Sequence, residues 1–330
     1  MRTSPLKTAV LGAGKIADSH FEAIRAVDGF AACAVVDIDK DKAHAFGERY
    51  DIRAYTDYRE MFDKECPDVA IIALPHFLHR EAALYAAARG CHLLLEKPMA
   101  LDVQQCDDIL AAVREYNVRL LIGHTQHYFA ENQRAKEILR SGELGQLVMI
   151  NDVRHVQYYS DNRPEWFFQK KLSGGGILTN LGAHAVDKIQ WITDSRVRSV
   201  KASLSRHGAR GDVEGSGVIY LELDNGIPAT ISQSGYAGAS RNETELVFTG
   251  GMLKLVTGSG LWISRSGAYE PVEMAAAADP YELQYIDLLM SIRERQESYS
   301  SGEYGRSVVA AIEHIYRSAA TGAEQELPRV

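Results

Sequence analysis

Two stretches of the chain carry apolar residues straight into side chains and backbone that could do chemistry. The first is Leu93-Leu94-Leu95 running into Glu96-Lys97-Pro98. Proline stops a β-ladder and stiffens the backbone, which fixes where the preceding lysine points. Beside a bound dinucleotide, the Lys97 ammonium can hydrogen-bond a substrate hydroxyl and stabilise a developing alkoxide. The same residue would also serve as a solvated rim lysine. The second is Thr8–Leu11 running into Gly12-Ala13-Gly14-Lys15-Ile16-Ala17, a G-x-G-x-x-A pattern between a strand and a helix. Gly12 permits the tight turn, Gly14 lets a pyrophosphate approach the backbone, and Ala17 lets the helix sit close to the sheet. Lys15 and Ile16 open that helix, whose N-terminal N–H groups favour phosphate. The next strand ends at Val35-Val36-Asp37. A carboxylate there accepts both ribose hydroxyls and repels a 2′-phosphate, which favours NAD over NADP, with Lys40 and Lys42 leaving some room for the latter.

Such residues need a scaffold that delivers them to one rim. From Lys7 to Gly123, short β-rich runs appear at Thr8–Leu11, Ala32–Val36, Asp68–Leu74, His92–Leu95 and Arg119–Ile122. Alanine-rich stretches with helical spacing, such as Leu78–Arg89 and Val103–Tyr116, lie between them. Continuously apolar strands separated by amphipathic helices imply a doubly wound α/β Rossmann domain, a parallel sheet covered on both faces. After His124 the pattern changes. A helix around Asn132–Ser141 leads into alternating stretches at Val148–Tyr158, Arg198–Arg206, Gly217–Leu223, Thr230–Ser234 and Glu245–Val256. Asp224-Asn225-Gly226 and Gly250-Gly251 suit hairpins. This second part reads as α+β with a mostly antiparallel sheet. Asp279-Pro280 starts one closing helix, as N-cap and first-turn proline, and a second runs from about Gly305 to Ala320. The expected division is 1–123 for the dinucleotide and 124–330 for substrate and assembly.

Composition narrows the partners. The 330 residues carry 36 basic and 44 acidic side chains, a net charge of −8. Residues 1–123 hold 15 basic against 19 acidic, and the remainder 21 against 25, so each part stands at −4. Neither offers the basic face that a phosphate backbone demands, which argues against nucleic acid. The longest apolar runs, such as Val69–Leu74, are too short to span a bilayer. No signal-peptide pattern precedes the first strand. Cys33, Cys66, Cys91 and Cys106 form no C-x-x-C pair, and Cys91 and Cys106 read as small core residues. A cytoplasmic protein with a small-molecule substrate is the expectation.

Seven of the eleven histidines lie between residues 76 and 184. The pairs His76/His79 and His124/His127 follow strand ends, but no carboxylate completes a ligand set, so no metal is expected. The run from His155 through Tyr158-Tyr159 to Trp166 mixes flat rings with polar tips, as sugars prefer. His155, Trp166 and, past a later strand, Tyr236 are therefore candidate substrate contacts. An ordinary loop anchored in the core by Trp166 accounts for the run equally well.

Taken together these residues resemble the glucose–fructose oxidoreductase/inositol dehydrogenase/rhizopine-catabolism (Gfo/Idh/MocA) dehydrogenases. The likeness rests on Gly12–Ala17, Leu74-Pro75…His79, Glu96-Lys97-Pro98, Ile122-Gly123, the run Gly174-Gly175-Gly176-Ile177-Leu178-Thr179-Asn180-Leu181-Gly182-Ala183-His184-Ala185-Val186-Asp187, and Ser318–Gly322. It implies NAD(P)-dependent oxidation of a sugar, inositol or related polyol hydroxyl, or the reverse reduction. A C-terminal sheet forming a homodimer or homotetramer interface is implied as well. By position Lys97 matches the family lysine and His184 its histidine, while Leu74, Pro75, His79 and Glu96 fall at the cofactor pocket. His127 falls where relatives place a polar residue near the substrate. The family aspartate is replaced by Asn180. If Asn180–Trp191 is helical, residues 180 and 184 are i,i+4 neighbours. Asparagine can then only position His184 by hydrogen bonding, which makes His184 the general base with Lys97 assisting. Asp187 reads as orienting a neighbour. Two other readings remain: a dinucleotide-binding sensor without turnover, and a hydrolase or epimerase that uses bound NAD transiently.

Overall fold

The computed structural model describes residues 4–208, 210–274 and 278–328. Its elements begin β1 Leu6–Leu11, α1 Ala17–Ala26, β2 Phe30–Val36, α2 Lys40–Tyr50, β3 Arg53–Tyr55, α3 Tyr58–Glu65, β4 Val69–Ile72, α4 His79–Ala88, β5 His92–Leu95, α5 Val103–Glu115 and β6 Leu120–Ile122. They continue with α6 Ala130–Ser141, β7 Leu147–His155, α7 Lys170–Ser173, a π-helical turn Leu178–Gly182, α8 Ala183–Thr193, β8 Val197–Ser205, β9 Ser216–Leu223, β10 Pro228–Ser234, β11 Arg241–Phe248, β12 Gly251–Val256, β13 Gly260–Ser264 and β14 Glu270–Pro271. The chain closes with α9 Pro280–Glu294, α10 Gly302–Thr321 and β15 Gln325–Glu326.

The chain divides into two compact units, Met1–Thr125 with Ala278–Arg306, and Gln126–Ala277 with Ser307–Val330. The first change of unit falls beside the expected boundary at 123. The assignment of everything after 124 to the second part differs from the structure for residues 278–306. There Tyr285 and Leu288 of α9 bury themselves in the cluster of Val10, Phe21, Ile24 and Phe30, with the Phe30 and Tyr285 rings edge to face at 5.3 Å. An apolar helix face goes to whatever core it can complete, and chain order does not reveal which one that is.

In the first unit six parallel strands run β3-β2-β1-β4-β5-β6. The order turns back between β1 and β4, the switch point beside which ligands of open α/β sheets bind. All four residues of β4 are buried, as a strand covered on both faces requires. The short β3 was not expected from the sequence, because Arg53-Ala54-Tyr55 at the sheet edge carries no apolar run. Helix starts follow the polar code. Asp39 caps α2 by accepting the Asp41 and Lys42 N–H groups, and Asp279 caps α9 the same way ahead of Pro280.

The second unit holds nine strands in the order β14-β13-β12-β11-β7-β10-β9-β8-β15. Among the described residues only β7 and β10 pair in parallel; the other neighbours are antiparallel. Register sets Gln233, Arg154 and Asn242 side by side across β10, β7 and β11, and Ile231, Asp152 and Thr244 one step further in. Period-2 geometry therefore puts Asp152 and Arg154 on one face of the sheet and His155 on the other. Among the described residues, no helix is long and apolar enough to cross a membrane.

Candidate functional site

The first unit builds a floor for a dinucleotide. Gly12 has φ +106°, and a Cβ there would run into the Ala73 carbonyl at the end of β4, so only glycine passes. At Gly14 a Cβ would meet nothing within 4 Å; the backbone faces open space. Helix α1 opens at Ile16 with no side-chain cap, leaving its first N–H groups for a ligand. Open floor, uncapped donors and a nearby acid fit a pyrophosphate and its ribose. That acid is Asp37, whose Oδ2 accepts the Ala13 N–H at 2.9 Å and whose Oδ1 accepts the Asp39 N–H at 2.9 Å. The carboxylate is thereby locked against the glycine loop with lone pairs remaining for hydroxyls. Lys42, which could have met a 2′-phosphate, sits 3.2 Å from the Asp39 carboxylate.

Around the ends of β4 and β5, side chains brace one another. His79 is fully buried, with Nδ1 at 2.9 Å from the Pro98 carbonyl and Nε2 at 2.8 Å from the Leu74 carbonyl. Its ring ties the Leu74-Pro75 loop to the loop after β5, and burial pushes its imidazole below the ordinary range against the pull of those carbonyls. The Lys97–Pro98 bond is cis. Glu96 takes the Lys97 N–H on Oε2 and meets His20 Nε2 at 3.2 Å on Oε1, while His20 Nδ1 lies 3.1 Å from the Tyr285 hydroxyl. Burial draws the Glu96 carboxyl upward, but the His20 hydrogen bond and the His20 and Lys97 charges hold it below the carboxylate range. A buried chain Tyr285–His20–Glu96 thus fixes the backbone that presents Lys97. His20 and Tyr285 were not identified from the sequence. They lie far from the motif in sequence, and only folding reveals their partners.

The second unit carries a small polar pocket over the sheet face. Leu181, His184, Ala185 and Lys188 line one wall. Their spacing of three and four residues is one helical stripe. Asp152, Arg154 and Asn242 line the sheet side. Lys188 Nζ and Asp152 Oδ2 are 3.0 Å apart and almost wholly buried, and Thr244 donates to the same carboxylate oxygen at 2.7 Å. Arg154 differs: its Nε is buried with no hydrogen-bond partner among the described residues. Burial pushes its guanidinium below the ordinary range, with Asp152 pulling it back. Beside it, both amide atoms of the buried Gln233 are also without partners. These residues were passed over in the sequence because charges alternating along a strand look like a wet face.

Several expected site residues stand elsewhere. The helix foreseen over Asn180–Trp191 begins as the π-turn, which widens the winding before α8 starts. The pocket stripe accordingly starts at Leu181, and Asn180 lies off it. The Asn180 amide instead bears on Tyr158, whose hydroxyl burial pushes well above its usual range while Arg163 and Asn180 draw it down. His127 is buried against Asp187, Nε2 to Oδ1 at 2.7 Å, and stacks on Trp191 with centroids 5.1 Å apart. Asp187 does orient a neighbour, and the neighbour is His127. His155 faces away from Arg154, and Trp166 stacks on Phe167 while Phe168 is the residue that anchors the loop. The Tyr236 hydroxyl accepts the His207 N–H at 2.8 Å, and its ring stacks on Tyr159. None of these four lines the pocket. The glycine run before the π-turn is held by Glu214, a buried carboxylate that accepts the Gly176 and Leu178 N–H groups and the Tyr316 hydroxyl. Among the described residues, no three His, Cys, Asp or Glu side chains gather as a metal would need.

Comparison with known proteins bears on both units. A family model described as an oxidoreductase family with an NAD-binding Rossmann fold matches residues 6–124, and the GFO/IDH/MocA C-terminal domain matches residues 132–254. A 1-carboxy-3-chloro-3,4-dihydroxycyclohexa-1,5-diene dehydrogenase from Comamonas testosteroni is 31% identical over 54% of this chain and 45% of that protein. Inositol 2-dehydrogenase 1 from Paenarthrobacter aurescens is 26% identical over 81% of this chain and 78% of its own. The chain spans about half the length of several curated relatives it matches. The solved aldose-aldose oxidoreductase of Caulobacter crescentus superimposes with a TM-score of 0.90 at 24% identity, over 98% of this chain and 100% of that one, a likeness of fold.

Proposed function

Since the chain belongs to the GFO/IDH/MocA family of oxidoreductases, we propose that it oxidises a hydroxyl-bearing carbon of a sugar, inositol or related polyol with NAD, or runs the reverse reduction. The observation that carries this reading is the glycine loop of the first unit, fit for a dinucleotide; the polar pocket of the second unit, whose helical wall presents His184, supports it. When bound, the nicotinamide would supply the hydride acceptor. His184 takes the hydroxyl proton, and the Lys97 ammonium favours the alkoxide over the alcohol. Asn180, off the pocket stripe, supports the π-turn through Tyr158 rather than acting on substrate. His79 and Glu96 hold the strand-end loops on which Lys97 is carried. Asp37 reads the ribose hydroxyls, and the engagement of Lys42 by Asp39 supports NAD over NADP. Four free cysteines support a reducing compartment such as the cytoplasm. The exposed Val148, Val218 and Tyr220 on β7 and β9 support assembly of a homodimer or homotetramer through the large sheet.

The test is NADH formation across a panel of polyols and sugars at alkaline pH. Lys97→Met and His184→Ala are each expected to lower kcat by about 10²–10⁴-fold. Wild-type turnover in either variant would remove its residue from the mechanism. Dinucleotide binding with no turnover on any substrate would move the protein to the sensor reading.

A further inference from the structure

The pocket of the second unit contains a cation that the protein does not neutralise. Lys188 and Asp152 cancel each other at 3.0 Å, and Thr244 takes up a further lone pair of Asp152. Arg154 has no such partner. Among the described residues its buried Nε meets no acceptor, and the charge that bears on it is Asp152, already committed to Lys188. On either side along the sheet stand amides, Asn242 on β11 and Gln233 on β10, the latter buried with both its amide atoms unsatisfied. A guanidinium whose Nε is shut off from water and a buried amide without partners are both unfavourable until a ligand meets them. A fold tolerates two such side chains next to each other when something else completes them.

We propose that Arg154, flanked by Gln233 and Asn242, binds a carboxylate on the substrate, so that the polyol oxidised here is a sugar acid. This rests on the dehydrogenase reading above and sharpens its substrate class. A guanidinium offers two parallel N–H donors that match the two oxygens of a carboxylate. The flanking amides can donate to the same group or take the adjacent hydroxyl. A phosphate dianion fits less well, because the second cation it would need, Lys188, is spent on Asp152. His184 stands on the opposite wall of the same pocket, so a carboxylate held by Arg154 would orient the neighbouring hydroxyl-bearing carbon.

The experiment measures calorimetric binding of aldonates and uronates, each beside its neutral aldose or polyol and its sugar phosphate, to the wild type, Arg154→Met and Arg154→Lys. At least one acid should bind the wild type ten times or more tighter than its neutral and phosphorylated counterparts. Arg154→Met should cut acid affinity 10- to 100-fold and leave the neutral compound within about threefold. Arg154→Lys, which keeps the charge and loses the fork, should fall between them and covers the case in which the methionine variant does not fold. Equal binding of neutral compounds, tighter binding of phosphates, absence of acid binding, or an acid preference unchanged in both variants overturns the proposal. NADH formation with the same panel separates the two readings. Acids bound through Arg154 while no compound of the panel is oxidised would sink the dehydrogenase assignment and leave the carboxylate site standing; acids bound but not oxidised beside oxidised neutral polyols would overturn the sugar-acid inference. Neutral polyols oxidised while acids go unbound would sink this inference alone.

Discussion

The rim of the parallel sheet and the face of the antiparallel one treat buried polar groups in opposite ways. In the first unit Asp37 is tied to Ala13 and Asp39, His79 to two carbonyls, and Glu96 to His20 and the Lys97 backbone. In the second, the Arg154 Nε and the Gln233 amide have no hydrogen-bond partner among the described residues, beside a fully paired Lys188–Asp152. On the proposed function, the difference follows from what each ligand would be bound by. A pyrophosphate is held by backbone N–H groups that any sequence with the right glycines supplies, so side chains there are free to brace the loops. A polyhydroxy substrate is distinguished only by side chains, and those must be left incomplete until it arrives.

This contrast can be broken in three places. The largest effect is expected where the second unit does satisfy its charges. Asp152→Ala should strand the Lys188 ammonium and lower stability by about 3–5 kcal/mol in denaturant titration. A loss below 1 kcal/mol would show that water already reaches the pair. Next, Gln233→Leu should raise stability by about 1–2 kcal/mol, because it removes two unsatisfied atoms, and lower turnover at the same time. A destabilised variant would mean that the amide is kept for packing and would erase the contrast. The smallest effect belongs to the first unit. Burial holds the His79 imidazole below its ordinary value of 6.5, so below that pH the unfolded chain takes up a proton that the folded ring refuses. The contribution is therefore complete above pH 6.5 and shrinks as pH falls. The stability gap between wild type and His79→Leu, read by denaturant titration, should narrow as pH falls below 6.5. A gap independent of pH would show that folding leaves the ring's proton affinity unchanged, and a gap that widens toward acid would show the ring charged in the fold.

Much of this architecture could be read from the residues. The glycine loop, the acid at Asp37 and the cap at Asp279 are local devices whose meaning lies within a few positions, and each stands where its pattern puts it. The assignment of α9 failed because an apolar stripe states that a helix is buried and not against what. The substrate candidates His155, Trp166 and Tyr236 rest on sugar-like chemistry alone; strand parity sets His155 on the face opposite Arg154, and the other two rings stack on Phe167 and Tyr159. Asn180 left the pocket stripe because the π-turn changes the helical phase, and no residue type announces such a turn.

By itself, the sequence determined the two kinds of sheet, the cofactor loop and the position of Lys97 after β5, because short-range periodicity and turn chemistry decide those. Tertiary structure alone decided that Tyr285 and His20 brace Glu96, and that Arg154 lies between Gln233 and Asn242. Those neighbours are set by strand register and helix packing across long separations, where identical side chains can end paired or unpaired.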